Sequence, residues 1–455
     1  MAGTHSGVGK TSISLGLVAA LKRRGLRVQT FKVGPDFLDP SHLALASGRP
    51  CYNLDGWMAG EEYVRRLFRR AAADADISVI EGVMGLFDGA DPATSEGSTA
   101  EIARWIESPV LLVASGYGLA RSLAAVVKGY AGFERGVHIA GVIVNQCGSK
   151  AHGDWMADSL RASSQPLLVG AIPREGLPGL PSRHLGLVTA DPVNLSSSVL
   201  GRLAEAVEGH VLVEEVLHLA REAKPLESSI PERQSSSRRV RLGVARDKAF
   251  HFYYQDLFDE LELRGCEVAP FSPVEDARLP EKCDGLYIGG GYPEEHAPAL
   301  SANEPMRAQI LQFAASGRPI YAECGGLMYL SRGLETLEGQ SYSMVGLLPV
   351  STRMLGRKKA LGYVEVTLKE DSLWGQKNSV LRGHEFHYSA MEADPSGKEG
   401  WLPLYNMSRR RAGSVEGEGF QRGRLVASYV HLYLAPHPEA LGHFIAFMDG
   451  SNRLP

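Results

Sequence analysis

Short apolar runs alternate with helical periodicity along the first half of the chain. The runs are Val28–Val33, Ile77–Ile80, Val110–Val113, Ile139–Val144 and Leu167–Ile172, each bounded by Gly, Pro, Asp or Asn. Runs this short, separated by helical patterns, predict buried strands of a mostly parallel sheet with helices on both faces. The segment Leu226–Arg239 (LESSIPERQSSSRR) is Ser-rich, charged and poor in apolar residues, which reads as a linker. After it the rhythm restarts with Val240–Ala245, Glu267–Phe271, Gly285–Ile288 and Pro319–Ala322. Later candidates around Gly362–Val366 and Leu425–Val430 lack crossover helices, so this second sheet is expected to be mixed. The expected architecture is α/β in two domains, residues 1–225 and 240–455, joined by 226–239. No internal repeat appears at solenoid periods.

The length of 455 residues suits two domains, each able to bury a sizeable interior. With 44% hydrophobic and 22% charged residues the composition is that of a soluble globular protein. No apolar run is long enough to span a membrane, and the N-terminus lacks a secretory pattern. The five cysteines are odd in number and widely spread, so they form no disulfide framework and fit a reducing cytoplasm. A net charge of -4 argues against a nucleic-acid or membrane-surface partner, while leaving room for a local basic pocket. Self-association as a homodimer stays open.

The chain begins with the phosphate-loop pattern Gly3-Thr4-His5-Ser6-Gly7-Val8-Gly9-Lys10-Thr11, followed by a helical pattern that Gly25 stops. Backbone N–H groups around Gly7 and Gly9, with the helix dipole, suit the phosphates of ATP. Lys10 would neutralise the β- and γ-phosphates and Thr11 would hold Mg²⁺. The spacing G-x5-G-K-T is one residue longer than the common form. It resembles the lengthened loop of dethiobiotin-synthetase-like proteins. His5 stands where partition-type ATPases place a second lysine. Such a loop ordinarily follows a strand, yet only two residues precede Gly3. Either the chain start is assigned late or the sheet lacks its central strand.

Ligand sites in doubly wound sheets lie at the carboxyl ends of strands. Asp36 follows Val28–Val33 in GPDFLDP, and Glu81 follows Ile77–Ile80 in EGVMGLFDG. With Thr11 they can supply hard oxygen ligands to Mg²⁺; a helix cap is the competing reading for each acid alone. Asp88, in a glycine-flanked loop, is placed to meet substrate or a second metal. Asn145 could reach an adenine edge or simply form a turn. Arg121 is a candidate for a substrate carboxylate, against a solvated helix arginine.

In the second half Glu323-Cys324-Gly325-Gly326 lies between a predicted strand and a helical pattern. A nucleophile there sits on a sharp turn, and the following N–H groups favour its thiolate. Cys324 is the expected nucleophile. His431 follows a predicted strand and is the expected base, with His384 and His387 in Gly383–Ser389 (GHEFHYS) as rivals. Gly290 and Gly291, in Gly289–Glu294 (GGGYPE), and Gly325 can present N–H donors to an oxyanion, although a chemically silent glycine turn is the alternative.

The loop, GPDFLDP, EGVMGLFDG and the later Arg183–Leu187 (RHLGL) together resemble the cobyrinic acid a,c-diamide synthase family of corrinoid biosynthesis. The second half is similar to class I glutamine amidotransferases, so the resemblance covers essentially the whole chain. It implies ATP and L-glutamine as cosubstrates, Mg²⁺, and a tetrapyrrole polycarboxylate amidated at its a and c acetates through acyl phosphates. It implies that Glu81 and Asp88 serve Mg·ATP and the substrate carboxylate. It also implies that Asp36, Phe37 and Leu38 face that site. It favours His431 as base and puts GHEFHYS nearer the substrate or a domain interface. Two positions depart from the pattern. Ser115 stands where the family commonly has Asp. Tyr433 stands where related amidotransferases carry an acid, leaving open what orients His431. Competing readings are the same chemistry on hydrogenobyrinic acid or nickel sirohydrochlorin, a partition or scaffold ATPase without glutaminase activity, and a catalytically dead binding protein.

Overall fold

The computed structural model describes residues 1–180, 195–224, 226, 239–410 and 414–451, with backbone alone at 182–183 and 186–187. The chain forms two compact units, Met1–Pro231 and Glu232–Pro455. Most of the predicted linker, and the side chains of Arg183–Leu187, lie outside the described residues.

In the first unit all ladders of the main sheet are parallel. One set runs Cys51–Leu54, Val28–Val33, Ile77–Glu81, and the other Ala2–Gly3, Val110–Ser115, Ile139–Cys147, Leu167–Pro173. The central strand that the sequence left in question is present as two residues. Ala2 pairs with Leu112 and Gly3 with Val113. Its other edge is tied by Met1, whose carbonyl accepts from Gly82 N–H at 2.8 Å and whose amine donates to the Ile80 carbonyl at 2.8 Å. Thr4 N–H and the Gly3 carbonyl continue the bonding to Val113 and Leu86. A two-residue strand flanked on both sides therefore holds the phosphate loop, and no long apolar run is needed to mark it.

The loop enters the helix Lys10–Arg23 through Gly9, whose φ of 101° is left-handed. Ile13, Val18 and Leu21 are buried and pack with Leu203 and Val207 of the helix Ser197–His210. A Cβ at Gly16 would sit 2.7 Å from the Leu203 carbonyl, so this helix pair needs glycine to approach. Gly25 ends the helix as predicted, at φ 82°.

The second unit is mixed, as expected. Five parallel strands run Cys266–Phe271, Val240–Ala245, Gly285–Ile288, Ile320–Glu323, Leu425–Ser428. An antiparallel arm continues through Val415–Arg422, Leu402–Arg409, Ala360–Leu368 and Val380–His387 to His431–Leu432. The predicted strand Leu425–Val430 stops at Ser428. There Glu418 accepts from Ser428 Oγ at 2.6 Å and from Tyr429 N–H at 2.8 Å, and Val430 N–H turns to Ser428 Oγ at 2.9 Å. Side chains thus take the N–H groups a ladder would use, and the chain swings into a new strand at His431. Among the described residues no helix is long and apolar enough to cross a membrane.

Candidate active sites

The phosphate loop is held from inside the first unit. Lys10 is buried, and its Nζ donates to the carbonyls of Met84 at 2.5 Å and His5 at 3.3 Å. Burial, then the charge of Lys32, lowers its pKa. Both effects are relieved by an anion at the loop. Asn145 Nδ2 donates to the Val8 carbonyl at 3.0 Å, while its Oδ1 accepts from Gln146 N–H at 2.9 Å. It packs so tightly on Gly9 that a Cβ there would lie 2.4 Å from Nδ2. Its amide thus clamps the loop.

Behind the loop, Thr11 Oγ1 donates to Glu81 Oε1 at 2.6 Å. The same oxygen accepts from Lys32 Nζ at 3.0 Å, and Lys32 also reaches Asp39 Oδ2 at 2.5 Å. Lys32 is a functional candidate that the sequence reading passed over; its signal was a lysine inside a fully buried strand. Its charge stays on because Glu81 and Asp39 outweigh the burial that opposes it. Burial raises the pKa of Glu81, and its Oε2 is buried without a hydrogen-bond partner. A buried carboxylate oxygen of this kind beside a threonine hydroxyl suits a hard cation. Thr11 and Glu81 thus fit Mg²⁺.

Asp36, whose charge is felt by Lys32, makes different hydrogen bonds. Its Oδ1 accepts from Leu38 N–H at 2.8 Å and Asp39 N–H at 3.0 Å, capping the helix Leu38–Ser47. Burial, then Asp39, pushes its pKa up to about 7. These bonds are those of the helix-cap reading and occupy Oδ1. The described residues contain no cluster of three or more His, Cys, Asp or Glu able to bind a metal, so a cation held by Thr11 and Glu81 would take its remaining ligands from water and phosphate oxygens.

Asp88 is exposed; its Oδ2 accepts from Gly85 N–H at 2.8 Å, and its charge is felt by Lys10. Phe37 and Leu38 are half-buried at the start of the Leu38–Ser47 helix. Arg121 is exposed at the cap of Ser122–Phe133. Ser115 Oγ donates to Gln146 Oε1 at 2.9 Å and accepts from Tyr117 N–H at 3.2 Å, so it organises the turn and adds no charge.

In the second unit Cys324 sits on a strained turn, φ 48° and ψ −103°, between Ile320–Glu323 and the helix Gly325–Leu330. Non-glycine residues rarely adopt such a φ, and a nucleophile elbow requires it. A Cβ at Gly326 would lie 2.0 Å from the Ile288 carbonyl, so that glycine seats the helix on the neighbouring strand. The expected thiolate bias is overruled. Burial, then the Glu294 charge, holds the Cys324 thiol well above its ordinary value, while the Gly325 N–H pulls it down only partly. A base is needed.

His431 lies against Gly290, and Gly325, the residue after Cys324, lies against Gly291. A Cβ at Gly290 would be 2.5 Å from His431 Cε1, and one at Gly325 would be 3.2 Å from Gly291 N. Gly291 itself, at φ 153°, leaves no room for a Cβ, which would lie 2.0 Å from the Ala249 carbonyl. Glu323, directly before the nucleophile, answers the question of what faces His431. Its Oε2 lies 3.7 Å from His431 Nδ1. It is fixed by Tyr287 Oη at 2.6 Å, by Tyr321 Oη, and by Leu432 N–H at 3.1 Å. Tyr433 points elsewhere, donating to Asp256 Oδ2 at 2.7 Å. We expect Glu323→Gln to lower glutaminase kcat about 10- to 100-fold with little change in glutamine KM, since a buried charge this near stabilises an imidazolium strongly. Steady-state kinetics with a pH profile check this; an unchanged kcat rules the carboxylate out.

The rival histidines are placed as supports. His387 stacks on Tyr429 with ring centres 4.1 Å apart, its Nδ1 bonded to the Ser389 carbonyl. His384 stacks on His431 at 5.0 Å and shares a hydrogen bond with Tyr254 Oη. Burial, then His431, depresses the pKa of His384 well below 6.5. Below pH 6.5 the unfolded chain therefore binds a proton that the folded chain refuses, and stability falls as pH falls. His384→Gln is expected to lessen that loss, read from urea midpoints of the full chain across pH ~5 to ~7.

Fold and sites together define a class: a nucleotide-binding phosphate-loop domain followed by a glutamine amidotransferase domain. Residues 1–188 match the model of the CobQ/CobB/MinD/ParA nucleotide binding domain, and 241–439 that of the CobB/CobQ-like glutamine amidotransferase domain. A cobyrinate a,c-diamide synthase of Syntrophotalea carbinolica is 55% identical over 99% of this chain and 98% of its own length. Proteins of the same description from Leptospira interrogans (41% identical, 97% of this chain and 96% of the relative) and Caldanaerobacter subterraneus (39%, 98% and 97%) also match. The chain belongs to the cobyrinate a,c-diamide synthase family.

Proposed function

We propose that the protein is an ATP- and glutamine-dependent ligase that amidates the a and c acetates of cobyrinic acid in cobalamin biosynthesis. The observation that carries this is one chain holding both a buried, loop-held Lys10 and a strained Cys324 whose neighbour Gly325 lies against Gly291, beside the Gly290 that His431 touches. Its relatives of the same length carry that activity in their name. His431 removes the Cys324 proton as sulfur attacks the glutamine carboxamide, and Gly290, Gly291 and Gly325 face the oxyanion. His431 returns the proton to the leaving ammonia, and water then hydrolyses the thioester to glutamate.

In the first unit, N–H groups near Gly7 and Gly9 bind phosphate, and Lys10 meets the β- and γ-oxygens. Thr11 and Glu81 would hold Mg²⁺, which spreads the charge of the phosphates during transfer. A substrate carboxylate, met by Arg121, takes the γ-phosphoryl group. The resulting acyl phosphate has a good leaving group, and ammonia displaces it to give the amide. Asp88, Phe37 and Leu38 line the acceptor side in this scheme. The five cysteines are free and buried, which suits a reducing cytoplasm.

Mass spectrometry after incubating cobyrinic acid with ATP, Mg²⁺ and glutamine tests the reading. Two successive mass decrements, each that of replacing OH by NH₂, are expected. Turnover of hydrogenobyrinic acid or nickel sirohydrochlorin in its place would reassign the substrate.

A further inference from the structure

Turns meet at the carboxyl ends of Val110–Ser115, Ile139–Cys147 and Leu167–Pro173, adjacent parallel strands of the first unit. Ligands of such sheets lie at these ends. The turn after Val110–Ser115 carries Tyr117, which leaves 65% of its surface to solvent. The turn after Leu167–Pro173 carries Arg174, whose guanidinium lies 4.3 Å from the centre of the Tyr117 ring. Among the described residues Arg174 forms no ion pair. The two turns are fixed through the middle strand. Gly116 N–H donates to the Asn145 carbonyl at 2.7 Å, and Arg174 N–H donates to the Cys147 carbonyl at 2.9 Å. Ser115 Oγ accepts the Tyr117 N–H and holds Gln146, whose φ of 61° is left-handed. A flat ring and a flat cation are thus stacked and pinned at the surface, and the mechanism above uses neither.

We propose that Tyr117 and Arg174 are the platform on which the base of the bound nucleotide stacks while its phosphates meet Gly7 and Gly9. The proposal rests on the ATP use stated above. Strand order sets the direction of the nucleotide. Thr11 and Glu81, which suit the cation of the β- and γ-phosphates, place that end toward Ile77–Glu81, on one side of Ala2–Gly3. The nucleoside end then falls on the other side, where Ala2–Gly3 pairs with Val110–Ser115. The contacts from the loop to the platform are short. Gly9 touches Asn145, the Asn145 carbonyl accepts from Gly116, and Tyr117 comes next. Chemistry selects the ligand. A nucleobase is flat and aromatic, and a tyrosine ring backed by a guanidinium holds its face whatever its edge carries. A lone carboxylate would meet Arg174 and leave the ring unused.

The test uses the full chain with Tyr117→Ala, Tyr117→Phe and Arg174→Gln as separate variants. Calorimetry with Mg·ATP should show binding about fivefold or more weaker in Tyr117→Ala, the loss of one base stack, and weaker in Arg174→Gln as well. Tyr117→Phe keeps the ring and should stay within about twofold of the parent. Inorganic tripolyphosphate carries no base, so its affinity should be the same in the parent and every variant. In steady state Tyr117→Ala should raise KM for ATP with kcat nearly unchanged, the pattern of lost ground-state binding. An ATP affinity within about twofold of the parent in Tyr117→Ala overturns the inference. So does tripolyphosphate binding weakened in parallel, which would make the ring a support of the loop, or a rise in KM for cobyrinic acid in place of ATP. Failure of the functional reading is a separate result: a parent enzyme that binds ATP and makes no amide from cobyrinic acid.

Discussion

Cys324→Ala abolishes amide synthesis from glutamine and leaves synthesis from ammonia intact. The glutamine-dependent rate should fall by at least about 10³-fold, because no other group in the wall formed by Gly290, Gly291 and Gly325 can carry the acyl intermediate. The other four cysteines are buried elsewhere, and burial pushes the pKa of each above its ordinary value. Fold stability should change little, since the turn keeps its backbone bond from residue 324 N–H to the Ser428 carbonyl at 2.7 Å. The strain at φ 48° is likewise unaltered by alanine. Glutamate release by a coupled assay, and amide formation with ammonium chloride at alkaline pH, separate the two activities. Glutamate production that survives the substitution would defeat the assignment of Cys324.

Lys10→Ala gives the complementary pattern. Amide synthesis should fall about 10²- to 10³-fold with either nitrogen source, a loss typical of removing one preorganised charge from a transferring phosphoryl group. Glutamine hydrolysis, carried by the other unit, keeps its chemistry. Lys10 donates to the Met84 and His5 carbonyls and is buried. Its ammonium already stands where the loop closes, and little reorganisation is needed when phosphate arrives. Charge is what the site lacks after the change, so Lys10→Arg should recover part of the ATP affinity and little of kcat. ATP-dependent synthesis from ammonia is the measurement. A rate within about threefold of the parent would remove Lys10 from the phosphate site.

The strands were legible where burial on both faces made an uninterrupted apolar run. Val28–Val33, Val240–Ala245 and Gly285–Ile288 have the bounds the pattern predicts. The arm from Ala360 to Arg422 was mostly missed because its strands carry polar faces and pair antiparallel, as Val415–Arg422 does with four polar or glycine positions before Phe420. Ala2–Gly3 was invisible because two residues hold no period, although both its edges are bonded. Among site residues, Lys10, Thr11, Glu81 and Cys324 were readable from spacing, since a loop before a helix or a nucleophile after a strand is a local event. Lys32 and Glu323 were passed over. Each acts on a side chain distant in sequence, Glu81 and His431 respectively.

By itself the sequence determined the chemistry available and its order along the chain: a phosphate loop with its lysine and threonine, then a thiol on a strand-to-helix turn. It determined these because each rests on backbone geometry within about ten residues, which glycine, burial and hydrogen-bond supply dictate locally. Tertiary structure decided which acid serves which partner. Asp36 became a helix cap, Asn145 a clamp, and Glu323 the carboxylate beside His431. Those roles depend on which strands lie side by side and on how deeply each charge is buried, and neither is a property of neighbouring residues.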